Sequence, residues 1–353
     1  MNKKVLLGMS GGVDSSVSAI LLKNKGYEVI GATMKLWNEE KNKSCCSDTS
    51  IQDAQKVCEK LGIQHNIINC ENEFRKYVVD KFVNSYKNAL TPNPCVDCNK
   101  NIKFGEFFLK INELNCDYLA TGHYAKIEYS EEYNQYVLKK ASDLKKDQSY
   151  FLYGISPNIL DKIIFPLEEY TTKAKIREIA KENDLPVADK KDSQEICFIK
   201  DNNYKIFIEQ NSDYKSKVGN IVTPSGEILG KHNGIINYTV GQRKGLGISY
   251  SEPLYVIKII KDKNEVIVGT ESDLYTNEVI IKDVNYLVSL LKDKEIDVEA
   301  KVRYRANPAK AKLIPLDNGT IKFIFNEPQR AVTPGQSLVF YIGDVVIGGG
   351  III

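Results

Sequence analysis

Lys3-Lys4-Val5-Leu6-Leu7-Gly8-Met9-Ser10-Gly11-Gly12-Val13-Asp14-Ser15-Ser16-Val17-Ser18-Ala19-Ile20 runs from an apolar stretch through a glycine-rich turn into an amphipathic segment. Residues 3–8 read as a buried strand that stops abruptly at a glycine. Residues 14–25 carry Val17, Ile20, Leu21 and Leu22 at helical spacing, with Gly26 placed to cap the end. A strand over 27–34, a helix over 51–61 ending at Gly62, and a strand over 64–70 follow. A helix over 103–114, a strand over 117–121 and a helix over 172–183 continue the alternation, which predicts an α/β domain built on a doubly wound parallel sheet.

The texture changes after about Tyr204. Short strands punctuated by Gly and Pro predict a small central β-rich domain. From about Glu271 the pattern is alternating strand with turn signals at 316–319 (LDNG) and 333–336 (TPGQ), which predicts a C-terminal antiparallel β-barrel. Three domains are expected, over residues 1–204, 205–270 and 271–353, because a single core rarely serves 353 residues.

The bulk numbers mainly exclude. A net charge of +2 gives no general nucleic-acid affinity, so an RNA partner would need a local basic surface. No apolar run approaches the ~18 residues of a membrane span, and the N-terminus lacks a signal peptide's apolar stretch, so a cytoplasmic protein with no membrane partner is expected. In that setting eight cysteines do not predict a disulfide framework. Cys45, Cys46, Cys58, Cys70 and Cys116 read as structural.

The turn at 8–16 holds the first chemistry. Glycines let backbone N–H groups close around an anion, and the following helix adds the positive end of its dipole. Ser10, Ser15 and Ser16 offer hydroxyls to phosphate. Asp14 would repel phosphate unless Mg²⁺ stood between them, so its presence points to a metal–nucleotide complex. The bland reading is Asp14 as a helix cap. Neither a Walker A loop nor a dinucleotide fingerprint is present, since no Gly-Lys-Ser/Thr or Gly-x-Gly-x-x-Gly occurs here.

Two cysteines stand out. Thr91-Pro92-Asn93-Pro94-Cys95-Val96-Asp97-Cys98-Asn99-Lys100 reads as a proline-stiffened loop, and Lys100 and Lys103 follow Cys98 closely enough to favour its thiolate. Cys197 follows the polar run 190–195. Two distant cysteines on loops of one catalytic sheet fit a sulfur relay, in which one thiol holds a persulfide and the other resolves it.

The strand-SGGxDS-helix unit resembles the PP-loop ATP pyrophosphatases, which cleave ATP between its α and β phosphates. That resemblance implies ATP contacts from Gly8, Met9, Ser10, Gly11, Gly12, Val13, Asp14 and Ser15, with adenine near Met34 and Gly122. Over nearly the whole chain the sequence is also similar to the bacterial tRNA-specific 2-thiouridylases. The likeness rests on GMSGGVDSS at 8–16, NPC..CNK..KF at 93–104, ATGHYA at 120–125, KDQSYFLY at 146–153 and DSQEICFI at 192–199. It continues through GQRKGLG at 241–247, VRYR at 302–305, TPGQ at 333–336 and GGGII at 348–352.

The resemblance implies adenylation of the C2 oxygen of a tRNA wobble uridine. Sulfur is then transferred from a persulfide on Cys197, with Cys98 completing transfer and closing a Cys98–Cys197 disulfide. A cysteine desulfurase or a sulfur-relay protein would supply the sulfur. It also implies tRNA contacts from His123, Lys146, Asp147, Gln148, Tyr304, Arg305 and Gln336. The alternative for His123 is a satisfied structural imidazole, and without the resemblance 146–148 reads as a solvated charged turn. From Glu271 onward ten Lys and Arg face eleven Asp and Glu, so the RNA surface there is expected to rest on Lys301, Arg303 and Arg305, which alternate onto one strand face.

Cys95 stands where the family form has an aspartate. Cys95, Cys98 and Cys197 could therefore hold a [4Fe–4S] cluster with one open iron, or Cys95 could be a spare thiol beside the relay. A zinc site is not expected, because no fourth ligand is in register. Another PP-loop ligase would need neither Cys98 nor Cys197, and a non-catalytic nucleotide- or RNA-binding module would leave Asp14 dispensable as well.

Overall fold

A computed structural model describes residues 2–37, 48–170, 172–190, 196–199 and 203–353. Cys45, Cys46 and residues 192–195 lie outside them. The chain forms two compact units. One holds residues 1–79, 94–202 and 344–346, the other residues 80–93, 203–343 and 347–353.

The first unit is built on a parallel sheet of β1 (Lys4–Gly8), β2 (Glu28–Lys35), β3 (Gln64–Asn69), β4 (Tyr118–Thr121) and β7 (Ile163–Ile164), in the order β3-β2-β1-β4-β7. The order reverses direction at β1, as a doubly wound sheet requires. Helix α1 (Val13–Asn24) follows β1, and α2 (Asp48–Leu61) joins β2 to β3. Val5, Leu7, Val17, Ala19, Leu22, Val57 and Ala120 bury their side chains in one core, which explains why β1 reads as a continuous apolar run.

Past β3 the sequence was less informative. α3 (Glu71–Phe74) runs into a π-helical stretch, Arg75–Val79, and then α4 (Asp80–Lys87), which belongs to the second unit. α5 (Pro94–Asp97) leads into a π-helix, Cys98–Glu106, and α6 (Phe107–Glu113). The stiff loop expected around Cys98 is therefore a helix. Pro94 occupies its first position, where a missing N–H costs nothing and the fixed φ favours entry. A hairpin, β5 (Lys126–Ser130) and β6 (Gln135–Lys139), was not foreseen; β6 pairs Lys139 with Val345. α7 (Lys173–Glu182) starts at Thr172, whose hydroxyl caps it.

The second unit contains α8 (Tyr204–Gln210) and a four-stranded sheet in the order β10-β11-β8-β9, from β8 (Gly219–Val222), β9 (Ile228–His232), β10 (Tyr255–Ile260) and β11 (Glu265–Gly269). Its remaining strands are β12 (Tyr275–Tyr286), β13 (Ile296–Lys301), β14 (Ala309–Pro315), β15 (Ile321–Arg330), β16 (Ser337–Ile342) and β17 (Val345–Ile352). They follow one another as β12-β15-β14-β13-β16-β17, and β12 pairs back onto β17, closing an antiparallel barrel. The turn at 316–319 joins β14 to β15, with Gly319 at φ +76°. Among the described residues no helix is long and apolar enough to cross a membrane.

Candidate nucleotide and thiol site

β1 delivers the glycine loop to the carboxyl edge of the sheet, and both sides of its first residue are fixed. Met9 N donates to Ala32 O at 2.8 Å, and Thr33 Oγ1 donates to Met9 O at 2.8 Å. His65 Nε2 lies 2.8 Å from the same hydroxyl; since the Thr33 proton is used on Met9, the ring nitrogen is the donor. Gly11 adopts φ +66°, and a Cβ there would lie 2.2 Å from Ser50 O in the first turn of α2, so only glycine fits.

Gly12 caps α1 without a side-chain hydrogen bond, which leaves the helix start open to an anion. Ser10 is exposed at the loop. Ser15 and Ser16 are buried and turned inward: each donates to Gly12 O, at 3.1 and 2.8 Å, and Ser15 Oγ also accepts from Ser10 N at 3.2 Å. These two hydroxyls shape the loop in this state, as back-bonding serines do.

Asp14 is not a cap. Lys173 Nζ lies 2.6 Å from both its carboxylate oxygens, and Tyr124 OH donates to Oδ1 at 2.7 Å. Gly122 abuts this turn so closely that a Cβ would lie 3.0 Å from Asp14 C and Ser15 N. On the other flank, Lys190 Nζ donates to Gly11 O at 2.9 Å and to Asp53 Oδ2 at 2.8 Å, while Arg177 holds the carbonyls of Ala188 and Lys190, each at 2.9 Å. Met34 is half-buried near the end of β2. Lys173, Tyr124, Lys190 and His65 escaped the sequence reading, since no local motif reveals that a helix-starting lysine meets an aspartate 159 residues away.

Beside β4, His123 is packed against Phe104 and Phe165, with ring centroids 6.0 and 5.9 Å away. Lys103 Nζ sits 3.2 Å from Nε2, and Thr121 Oγ1 sits 2.8 Å from Nδ1. An ammonium can only donate, so Nε2 accepts and the proton resides on Nδ1. Burial, and then the Lys103 charge, hold this histidine well below its ordinary range. Lys103, expected to favour the Cys98 thiolate, is engaged here with an imidazole.

Cys98 is buried, Cys95 exposed and Cys197 half-buried. Asn99, next to Cys98, is buried and donates through Nδ2 to Phe151 O at 3.1 Å. Burial pushes the Cys58, Cys70 and Cys116 thiols up to about 11, which suits inert structural residues.

The run 146–148 is no solvated turn. Asp147 is buried and accepts from Ala141 N at 3.0 Å, Ser149 N at 3.1 Å and Ser149 Oγ at 2.8 Å. Gln148 exchanges two 2.9 Å bonds with the backbone of Tyr124, through its own N–H and through Oε1. Lys146 is half-exposed.

In the second unit, β13 ends at Lys301, so Arg303 and Arg305 do not alternate along a strand. They stand exposed in the following turn, closed by Ala306 N donating to Arg303 O at 3.1 Å. Lys301 Nζ lies 5.5 Å from the Tyr304 ring centroid. Gln336 Nε2 donates to Thr91 O at 2.8 Å and Pro92 O at 3.3 Å.

A parallel α/β sheet carrying an uncapped Ser-Gly-Gly-x-Asp-Ser loop defines a nucleotide-binding protein of the PP-loop class. Three family profiles match in order: "tRNA methyl transferase HUP domain" over residues 3–201, "tRNA methyl transferase PRC-barrel domain" over 205–270 and "Aminomethyltransferase beta-barrel domain" over 276–352. The chain is 51% identical over 357 residues to the tRNA-specific 2-thiouridylase MnmA of Clostridium beijerinckii, covering 100% of this chain and 99% of that one. It is 50% identical to the enzyme of the same name from Clostridium botulinum (99% and 98% covered) and 48% identical to that of Clostridioides difficile (100% and 98%). The chain belongs to the tRNA-specific 2-thiouridylase family.

Proposed function

We propose that the protein is an ATP-dependent tRNA uridine 2-sulfurtransferase. One observation carries the reading: an open helix start with a cation-paired Asp14 beside it, in a chain about half identical to 2-thiouridylases over its full length. The C2 oxygen of the wobble uridine attacks the α-phosphorus of ATP, and pyrophosphate leaves with the bonding electron pair. The terminal sulfur of a Cys197 persulfide then displaces AMP from C2. Cys98 thiolate attacks the Cys197 sulfur, which releases the thiocarbonyl and forms a Cys98–Cys197 disulfide for an external thiol to reduce. The donor of sulfane sulfur is a cysteine desulfurase or relay protein.

Mg²⁺ fits this loop: the Asp14 carboxylate already accepts a cation, and hard oxygen donors suit that metal, which would neutralise phosphate charge. A [4Fe–4S] cluster fits less well. Among the described residues no three Cys, His, Asp or Glu come together as a metal-holding group. We assign ATP contacts to Gly8, Met9, Ser10, Gly11, Gly12, Val13, Asp14, Ser15, Met34 and Gly122. Contacts with tRNA fall to His123, Lys146, Gln148, Tyr304, Arg305 and Gln336, while the buried Asp147 braces the 146–148 segment. Domains over 1–204, 205–270 and 271–353, in the cytoplasm, complete the reading.

Cys197→Ser is expected to abolish 2-thiouridine in nucleoside mass spectrometry while tRNA-dependent AMP release persists. Thiolation by that variant would overturn the relay, and AMP release by wild type without tRNA would overturn the assignment.

A further inference from the structure

We propose that Lys173 is a phosphate ligand of ATP, held in waiting by Asp14 and handed to the β and γ phosphates when the nucleotide binds. This rests on reading residues 8–16 as the ATP site. Lys173 opens α7, and its ammonium lies evenly over the Asp14 carboxylate, 2.6 Å from each oxygen. The pair is largely enclosed: the Lys173 side chain is 14% exposed and that of Asp14 31%. An ammonium centred on both oxygens stands where a phosphate-bound Mg²⁺ would coordinate.

Charge decides where the lysine goes. ATP brings about four negative charges and Mg²⁺ returns two, so the loop must accept a net anion beside the Asp14 carboxylate. With Asp14 holding Mg²⁺, the Lys173 ammonium would be released beside the phosphates on its flexible four-carbon stem. As the bond from the α-phosphorus to the bridging oxygen breaks, charge gathers on pyrophosphate, and Lys173 stabilises it by hydrogen bonds without giving up a proton.

Lys190 provides the contrast. It too is a lysine beside the loop, but it joins Gly11 O to the Asp53 carboxylate and so braces the backbone. The two lysines therefore predict different losses.

The test measures binding of ATP, pyrophosphate and AMP by calorimetry to wild type, Lys173→Met, Lys173→Arg and Lys190→Met, each checked for a native melting transition. Lys173→Met should lose about tenfold or more in affinity for ATP and pyrophosphate and none for AMP, since the lost charge-assisted bonds go to the β and γ phosphates. Lys173→Arg should recover part of the ATP affinity. Lys190→Met should weaken ATP and AMP together. If folded Lys173→Met binds ATP like wild type, or loses ATP and AMP equally, Lys173 is a structural partner of Asp14 and the proposal fails. Failure of wild type itself to bind ATP would instead overturn the nucleotide site.

Discussion

His123 is bonded at both ring nitrogens, to Lys103 and to Thr121, and that arrangement accepts no further proton. Its folded-state pKa is held well below the ordinary value near 6.5, and burial also lowers His65 and His232. The unfolded chain therefore binds more protons than the folded one below about pH 6.5. Stability is fully present above that value and is lost as the pH falls toward the folded pKa values. Urea unfolding at pH 7 and pH 5 should show this loss, and His123→Gln should shrink the pH 7-to-5 difference. An unchanged difference would mean the ring is readily protonated in place. Residue identity was legible here and environment was not: ATGHYA marks His123, but Lys103, Phe104 and Phe165 arrive from other elements. Asp147 is the stronger case, because a Lys-Asp-Gln run has the composition of a wet surface while its carboxylate closes three internal bonds.

Elements were legible where their apolar period was unbroken. β1, α1, β2, α2, β3 and β4 fall within a few residues of the spans expected from pattern alone. Prediction faltered where helix geometry departs from 3.6 residues per turn. The π-helix Cys98–Glu106 carries a cysteine that the prolines made look like a loop residue, and such bulges often mark functional segments. The basic run 301–305 shows the opposite error: an alternating pattern belongs to a strand only while its ladder continues, and β13 stops at Lys301. Arg303 and Arg305 are nonetheless exposed in the turn, and the proposed function has Arg305 meet an RNA phosphate there. Arg305→Ala should lower the slope of log affinity for tRNA against log salt by about 1, the signature of one lost phosphate contact. The same slope in both proteins would remove Arg305 from the interface.

At the scale of the whole molecule, the two compact units divide at residues 202–203, close to the change in sequence texture, but the second unit also draws in an earlier segment. Residues 80–93 lie in the second unit, where Phe82 packs against Phe207 with centroids 6.3 Å apart and Tyr86 stacks on Tyr204 at 4.8 Å. Nothing in their local pattern announces distant partners, so this assignment was illegible. Phe82 is 1% exposed, and Phe82→Ala should cost about 3–5 kcal/mol. Hydrogen exchange should locate that loss in β8–β17, with β1–β4 remaining protected. Loss of protection confined to β1–β4 would contradict the partition.

The bond from Gln336 to Thr91 joins residues 245 positions apart. Thr91 N also donates to Pro334 O at 2.9 Å, and a Cβ on Gly335 would lie 2.8 Å from Thr91 N, so the fit is close. A nascent chain that has made residues 80–93 must wait for the 333–336 turn before this contact can form. Closing so long a loop is entropically slow, and the apolar face of α4 stays exposed at least until Tyr204 and Phe207 have been made. The order of synthesis therefore sets a vulnerable interval, during which Phe82 and Tyr86 are natural ligands for a chaperone.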